Sequence, residues 1–307
     1  MEKVLVTGGA GFIGSHLVES LLALDNDVLV VDDFSLGRHQ HLEEMGSASK
    51  LTVVEGDIRN PRDLGPIEEF APDTVFHMAA IHFIPYCHSH PQEALDVNVI
   101  GLNNVVRAVR CAPVKTFVFP SSGAIYGFGS APWSESAPPR PDEIYGLSKW
   151  LGEQILSIFH EDHPQVRTVV ARLFNTYGPR ETNPHVLPDI MNCIRDGRTI
   201  ELGNLWPMRD LIYVTDTTSG LIATVDGGPG LHCFNVGTGI GSAINDVLQT
   251  IERIRGKKLD LEQVSNRVRK NDGHLISNPR KLMETGWTPK YSLLAGLTEL
   301  LAWEGLL

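Results

Sequence analysis

Short runs of aliphatic and β-branched residues recur through the first half of the chain, at 3–6, 27–31, 51–54, 74–77, 116–119 and 167–171. Each ends near a polar residue or a glycine. Amphipathic segments lie between them. A run that is apolar throughout suits a strand covered by helices on both faces, whereas a half-exposed strand would alternate. The pattern predicts repeated β-α-β units and an α/β fold, a doubly wound parallel sheet of Rossmann type that binds ligands at the carboxyl ends of its strands. After Asn175 the alternation gives way to Gly- and Pro-rich stretches at 178–179, 183–184 and 227–230, mixed with helical patterns over 186–195 and 243–255. This reads as a smaller C-terminal lobe that closes over the sheet edge and supplies specificity. The expected division is a sheet domain over 1–175, completed by part of 209–240, and a ligand lobe drawn mainly from 176–307.

Composition narrows the field. The 307 residues are 42% apolar and 21% charged, an ordinary globular balance. A net charge of −11 leaves no basic surplus to neutralise phosphates, so nucleic acid and anionic membranes are not expected partners. Cys87, Cys111, Cys193 and Cys233 are widely spaced and form no C-x-x-C pair, which suits a reducing cytoplasm. The opening residues lack the pattern of a secretory signal and no stretch reaches membrane-spanning length, so a soluble, unprocessed chain is expected.

The first strand runs into TGGAGFIG (7–14), with glycines at 8, 11 and 14, and then into a helical pattern through Leu24. Gly8 permits a tight turn, Gly11 lets a pyrophosphate approach the backbone, and Gly14 lets helix and strand pack closely. The helix N-terminus then faces the phosphates. The second strand ends in Asp32-Asp33, where a carboxylate accepts from ribose hydroxyls and repels a 2′-phosphate. That favours NAD over NADP, although Arg38 lies near enough in sequence to offset the repulsion. Asp57, after the third strand, is placed to meet an adenine edge, and Ala79-Ala80 after the fourth are small enough to let a dinucleotide pass. Simple loop packing explains each of these equally well when it is taken alone.

In YGLSK (145–149), Tyr145 and Lys149 stand four residues apart on one helix face. A tyrosine ionises near pH 10, and bringing it close to neutrality requires about 4 kcal/mol of differential stabilisation. The lysine charge and a nicotinamide cation are sources for that. Ser122, in SSGAIYG (121–127) after the fifth strand, is placed to hydrogen-bond the same substrate hydroxyl. A Tyr/Lys pair alone would be an ordinary solvated helix pair, and the glycine loop and Ser122 lift it above that.

With these motifs in place the chain resembles the extended short-chain dehydrogenase/reductase family of nucleotide-sugar epimerases and dehydratases, and is nearest to the UDP-sugar 4-epimerases. The resemblance spans nearly the whole length. It is carried also by Gly56-Asp57-Ile58, by His77-Met78-Ala79-Ala80, by Asn98, and by the stretches 172–180, 209–214 and 286–289. It implies a catalytic trio of Ser122, Tyr145 and Lys149. It implies NAD held by Gly8, Gly11, Phe12, Ile13, Gly14, Asp32, Asp33, Asp57, Ile58, Ala79, Ala80 and Asn98 together with Tyr145 and Lys149. Asn175, Arg209 and Arg269 would face a nucleotide diphosphate, Asp272 a nucleoside ribose, and His82 and Val186 the remainder of the sugar-nucleotide. A homodimer paired through helices that include the Tyr/Lys helix is the family pattern.

Dehydratases that resemble this chain carry Asp-Glu directly after the catalytic Ser/Thr, and a related decarboxylase uses a glutamate there. Here those positions are Gly123-Ala124, so elimination lacks its proton carriers. Oxidation and re-reduction at C4 of a UDP-hexose or UDP-hexuronate with tightly held NAD is the expected chemistry; a dehydratase, a decarboxylase or a 4-ketoreductase with exchangeable cofactor from the same family, and a non-catalytic NAD-binding protein, are the rival readings. dTDP-sugars stay open. Two departures stand out. The stretch 202–210 is similar to that of some dehydratases, and 81–86 is bulkier than the small polar segment expected beside the sugar. His82, Cys87, His88 and His90 are local in spacing, and Pro91 is expected to open a helix, so they read as loop and cap and no metal is expected.

Overall fold

Along the first strand, Val4 and Val6 point to one side and Leu5 to the other, and all three are buried. In this computed structural model, which describes residues 2–43, 45, 49–127, 129, 132–264 and 273–307, that two-sided burial extends across a parallel sheet. The strands are β1 (Lys3–Thr7), β2 (Asp27–Asp32), β3 (Leu51–Glu55), β4 (Thr74–His77), β5 (Thr116–Ser122), β6 (Arg167–Leu173), β7 (Asn175–Tyr177), β8 (Ile200–Leu202), β9 (Met208–Tyr213), β10 (Gly230–Val236), β11 (Gly241–Ala243) and β12 (Leu261–Gln263). Seven form the main sheet in the order β10-β6-β5-β4-β1-β2-β3, every neighbouring pair parallel. The chain moves outward from β1 through β2 to β3, then returns to β4 on the other side of β1. The order therefore reverses between β1 and β4, the place where such sheets open a crevice for ligands.

One face of the sheet packs Val4, Val6, Val30 and Val169 against Leu17, Val18 and Leu21 of the Phe12–Ala23 helix and Leu221 of the Val214–Ala223 helix. The opposite face packs Leu5, Leu29, Val75, Phe117 and Phe119 against Val105, Leu156 and Phe159. A separate apolar cluster holds the C-terminal lobe together. In it, Leu187 and Ile190 of the Val186–Asp196 helix meet Val247 and Ile251 of the Ile244–Arg255 helix and Leu297 and Leu301 of the Leu293–Trp303 helix. Strands β11, β9 and β7 form a small sheet at its base, and β12 pairs with β8.

The six anticipated strands are all present, but β5 and β6 run two to three residues further than the apolar pattern suggests. The added residues include Ser121, Ser122 and Arg172, which are polar yet buried because Ser121 and Arg172 both bond Glu153 of the Ile144–Asp162 helix and Ser122 accepts from the Ala124 amide. The seventh strand, β10, was hidden by His232, Cys233 and Asn235. It lies at the sheet margin, where continuous apolarity is not required. Among the described residues no helix is long and apolar enough to cross a membrane.

Candidate active site

The turn after β1 is shaped by its glycines. Gly8 has φ +70° and its missing side chain admits the loop after β4, since a Cβ there would lie 2.5 Å from the Ala79 amide nitrogen. At Gly14 a Cβ would collide with the Gly8 carbonyl oxygen, so the helix start can sit against the turn only with glycine at that position. Gly11 ends the loop in extended backbone as the helix begins at Phe12, with no acidic residue in the first turn. The first amides of that helix have no intrahelical acceptor and form a site for phosphate oxygens. A cavity of about 570 Å³ opens here, lined by Gly8, Gly11, Phe12, Ile13, Gly14, Asp32, Asp33, Asp57, Ile58, Ala79 and Ala80.

Asp32 is buried at the end of β2. One carboxylate oxygen accepts from the Ala10 amide at 2.8 Å and the other from the Phe34 amide at 2.9 Å. Burial raises its pKa above the usual carboxylate value, and the two amides oppose that rise. Each oxygen keeps a further lone pair for a ribose hydroxyl. Asp33 accepts from the Ser35 amide and hydroxyl. Asp57 is gripped in a forked pair by Arg59, at 2.8 Å and 3.0 Å from Nε, which lowers its pKa against the opposing effect of burial. Arg38 is exposed and its amide is tied to the Ala10 carbonyl at 3.1 Å; its side chain is not among those lining the cavity. Asn98 lies behind the cavity wall in a π-helical turn (Asp96–Gly101). Its side chain accepts from the Ile81 amide and donates to the Ile81 carbonyl and Ser148, so it holds the loop after β4 in place.

Ser122 ends β5 and caps the 3-10 turn Gly123–Tyr126, its hydroxyl accepting from the Ala124 amide at 3.1 Å. The same hydroxyl hydrogen-bonds the phenol of Tyr145, which projects from the Ile144–Asp162 helix. Lys149 lies one turn further along, buried, its ammonium donating to the Pro120 carbonyl at 2.9 Å and lying 5.0 Å from the Phe119 ring centre. Burial pulls it down to about 8, while the nearby Cys87 acts in the opposite sense. For Tyr145 the expected depression by lysine is not found. Burial holds its phenol above the ordinary tyrosine value, the Ser122 hydrogen bond opposes that, and Cys87 and Glu143 add to the rise.

The same cavity is lined by His82, Asn175, Val186 and Arg209, which come from the loop after β4, from β7, from the first turn of the Val186–Asp196 helix and from β9. Arg209 reaches the Met208 and Gly273 carbonyls at 2.9 Å each. Arg269 and Asp272 lie outside the described residues. Pro91 does open a helix, Pro91–Leu95, and His88 sits 3.8 Å from Glu143, so the local histidines do not converge.

Two groups escaped sequence reasoning. Glu153, the next turn of the Tyr145/Lys149 face, forms a buried forked ion pair with Arg172 at 2.8 Å and 3.0 Å and accepts from Ser121 at 2.5 Å. Arg172 also donates to the Tyr126 hydroxyl, which in turn donates to Asn235 on β10. The spacing 145-149-153 was the available signal. Glu181 and His185, four residues apart in a Pro-containing segment, come to face His82; nothing in their local pattern pointed there.

A doubly wound sheet with a glycine loop at its switch point, an acidic end to β2, and serine, tyrosine and lysine around one cavity defines an enzyme of the dinucleotide-dependent short-chain dehydrogenase/reductase class. Within that class, the chain belongs to the NAD dependent epimerase/dehydratase family, whose pattern it matches over residues 4–237. It is 32% identical to a UDP-glucose 4-epimerase of Mycolicibacterium smegmatis, over 97% of this chain and 96% of the relative. Its structure resembles that of the Thermus thermophilus UDP-glucose 4-epimerase in complex with NAD, with a TM-score of 0.90, 30% identity and 99% of each chain covered. It also resembles a Bacillus cereus UDP-glucuronic acid 4-epimerase in complex with UDP-glucuronic acid and NAD, with a TM-score of 0.91, 25% identity and 99% of each chain covered. NAD is the family's cofactor, and the glycine turn, the free amides of the first helix and Asp32 fit it.

Proposed function

We propose that the chain is a UDP-sugar 4-epimerase, acting on a UDP-hexose or UDP-hexuronate by oxidation and re-reduction at C4. The observation that carries this reading is the Ser122–Tyr145 hydrogen bond inside the cavity that also holds the glycine turn and Asp32, with no carboxylate at 123 or 124. When bound, NAD would supply the acceptor for the C4 hydride and a cationic ring whose charge favours the phenolate. Tyr145 takes the proton of the C4 hydroxyl and later returns one, Ser122 holds that hydroxyl in line, and Lys149 contributes charge from within the buried site. Gly123 is enclosed, its Cα hydrogens facing the Phe174 ring where a Cβ would stand 3.1 Å away, so a carboxylate at this position would require that ring to move. The diphosphate end is assigned to Asn175, Arg209 and Arg269, the nucleoside ribose to Asp272. The named activities of the relatives support the same reading.

The enzyme works as a homodimer in the cytoplasm on this reading. Support comes from exposed Ile158 on the Ile144–Asp162 helix and Ile100 on the adjoining π-helical turn, two apolar side chains on neighbouring elements. Light scattering behind a sizing column tests the dimer. The reaction itself is tested by incubation with UDP-glucose and UDP-glucuronate without added cofactor. The product is expected to be the C4 epimer at unchanged mass, and a C4-deuterated substrate is expected to keep its label, because hydride leaves and returns within one site. Loss of one water or of carbon dioxide would replace epimerisation by elimination or decarboxylation.

A further inference from the structure

His82 arrives on the loop after β4 and Glu181 and His185 on the segment that leads into the Val186–Asp196 helix, yet one donor atom from each lies within 4.8 Å of the other two. Among the described residues this is the one such trio, and all three line the cavity that contains Ser122 and Tyr145. We propose that His82, Glu181 and His185 form a binding site for a divalent transition ion of the zinc type, on the wall of the catalytic cavity.

The donor set is the first argument. Two imidazoles and one carboxylate suit zinc, and three protein ligands leave a fourth position for water or a substrate oxygen. Since all three side chains border the cavity, that position is available to a ligand inside it. Geometry is the second. Metal–ligand bonds of about 2.0–2.2 Å at tetrahedral angles place donor atoms roughly 3.3 Å apart, so donors already within 4.8 Å of one another have about 1.5 Å or less to close.

The surrounding hydrogen bonds are the third argument, because ligand orientation in metal sites is set by such outer partners. His82 bonds the Ala80 carbonyl, which requires a ring N–H on that side and puts the ring's one lone pair on Nε2, where it accepts from the Asn183 side-chain amide at 3.1 Å. Glu181 accepts from the Asn183 backbone amide at 2.9 Å through Oε1, which leaves Oε2 facing His185 Nδ1 at 3.3 Å. The ion replaces two weak contacts, Asn183 on His82 and His185 on Glu181.

The test uses the purified protein with its nucleotide retained, stripped of metal with a chelator and then titrated with Zn²⁺ in competition with a chromophoric chelator. One equivalent is expected to bind, and Co²⁺ in its place should give the visible bands of a low-coordinate site. His82→Ala and His185→Ala should each weaken Zn²⁺ at least tenfold and abolish the Co²⁺ bands, with the thermal transition and bound-nucleotide absorbance unchanged. Should either alanine variant fail to fold, Glu181→Gln, which keeps the shape and the bond from the Asn183 backbone amide, carries the same expectation. Absence of a stoichiometric site, or affinity unchanged in the folded variants, would overturn the proposal. None of these readouts depends on turnover, so a failed epimerase assay and a failed metal titration are separate results.

Discussion

Asp32 carries two loads with one carboxylate, holding the Ala10 and Phe34 amides while offering its remaining lone pairs to a ribose. Asp32→Ala is therefore expected to weaken NAD by ten- to a hundredfold, the scale of a lost charge-assisted hydrogen bond of about 1.5–3 kcal/mol. NADP should be affected much less, since its 2′-phosphate gains from removal of the negative charge. Equal losses for both nucleotides, measured by fluorescence titration, would remove the assignment. Tyr145→Phe deletes the proton-transfer group and keeps the ring, so turnover should fall by 10²-fold or more while UDP-sugar affinity changes little. Near-normal turnover would place the chemistry elsewhere. Lys149 allows a third measurement. Its pKa is lowered to about 8 by burial from an ordinary value near 10.5, so the unfolded chain binds more protons than the folded one between those values. Stability from this group therefore rises with pH across that window, and below about 8 its burial is a constant burden of about 3 kcal/mol. Lys149→Met should be more stable than the parent near pH 7, with the gain shrinking as pH climbs from 8 toward 10.5. A gain independent of pH in denaturant titrations would contradict this origin.

At the scale of elements, the buried Glu153 pair explains how the catalytic helix is held.

 The Glu153–Arg172 ion pair ties the Ile144–Asp162 helix to β6, and Ser121 ties the same carboxylate to the end of β5, one residue from Ser122. The serine and the tyrosine are thereby set by one buried network. Glu153→Ala leaves a buried guanidinium without its counter-charge, with only the Tyr126 hydroxyl and the Glu135 carbonyl as acceptors, and a loss of about 3–5 kcal/mol is expected from chemical denaturation. A change below about 1 kcal/mol would mean that water or another acceptor reaches Arg172. This network also marks the limit of what was legible. The glycine turn, Asp32, and the Tyr145/Lys149 pair are contiguous or near-contiguous signals, because strand-to-helix turns and helix faces are local objects. The partners of Arg172 and His82 are fixed by sheet order and by the approach of the second lobe, and Asn183 meets His82 across 101 residues of chain. Local periodicity has no term for such meetings. The strand ends at Ser122 and Leu173 lie beyond the apolar runs for the same reason, since the polar residues there are satisfied by distant partners.

For the molecule as a whole, six strands of the main sheet were visible as apolar runs, and the seventh was not. β10 joins the margin beside β6 only after the chain has passed through β7, β8 and β9. The order of synthesis gives that feature a consequence. While a ribosome is still extending the chain toward residue 230, β6 is an open edge with unpaired amides and carbonyls, and the Tyr126 hydroxyl lacks its Asn235 acceptor. Such an edge is a template for pairing with another chain. A fragment that stops at residue 229 is therefore expected to aggregate, and supplying residues 230–307 as a separate polypeptide during refolding should restore solubility; a fragment that stays monomeric by itself would show that the edge is protected by other means. Nascent copies of this protein consequently need shelter through the last quarter of translation, when most of the sheet already exists and its final border does not.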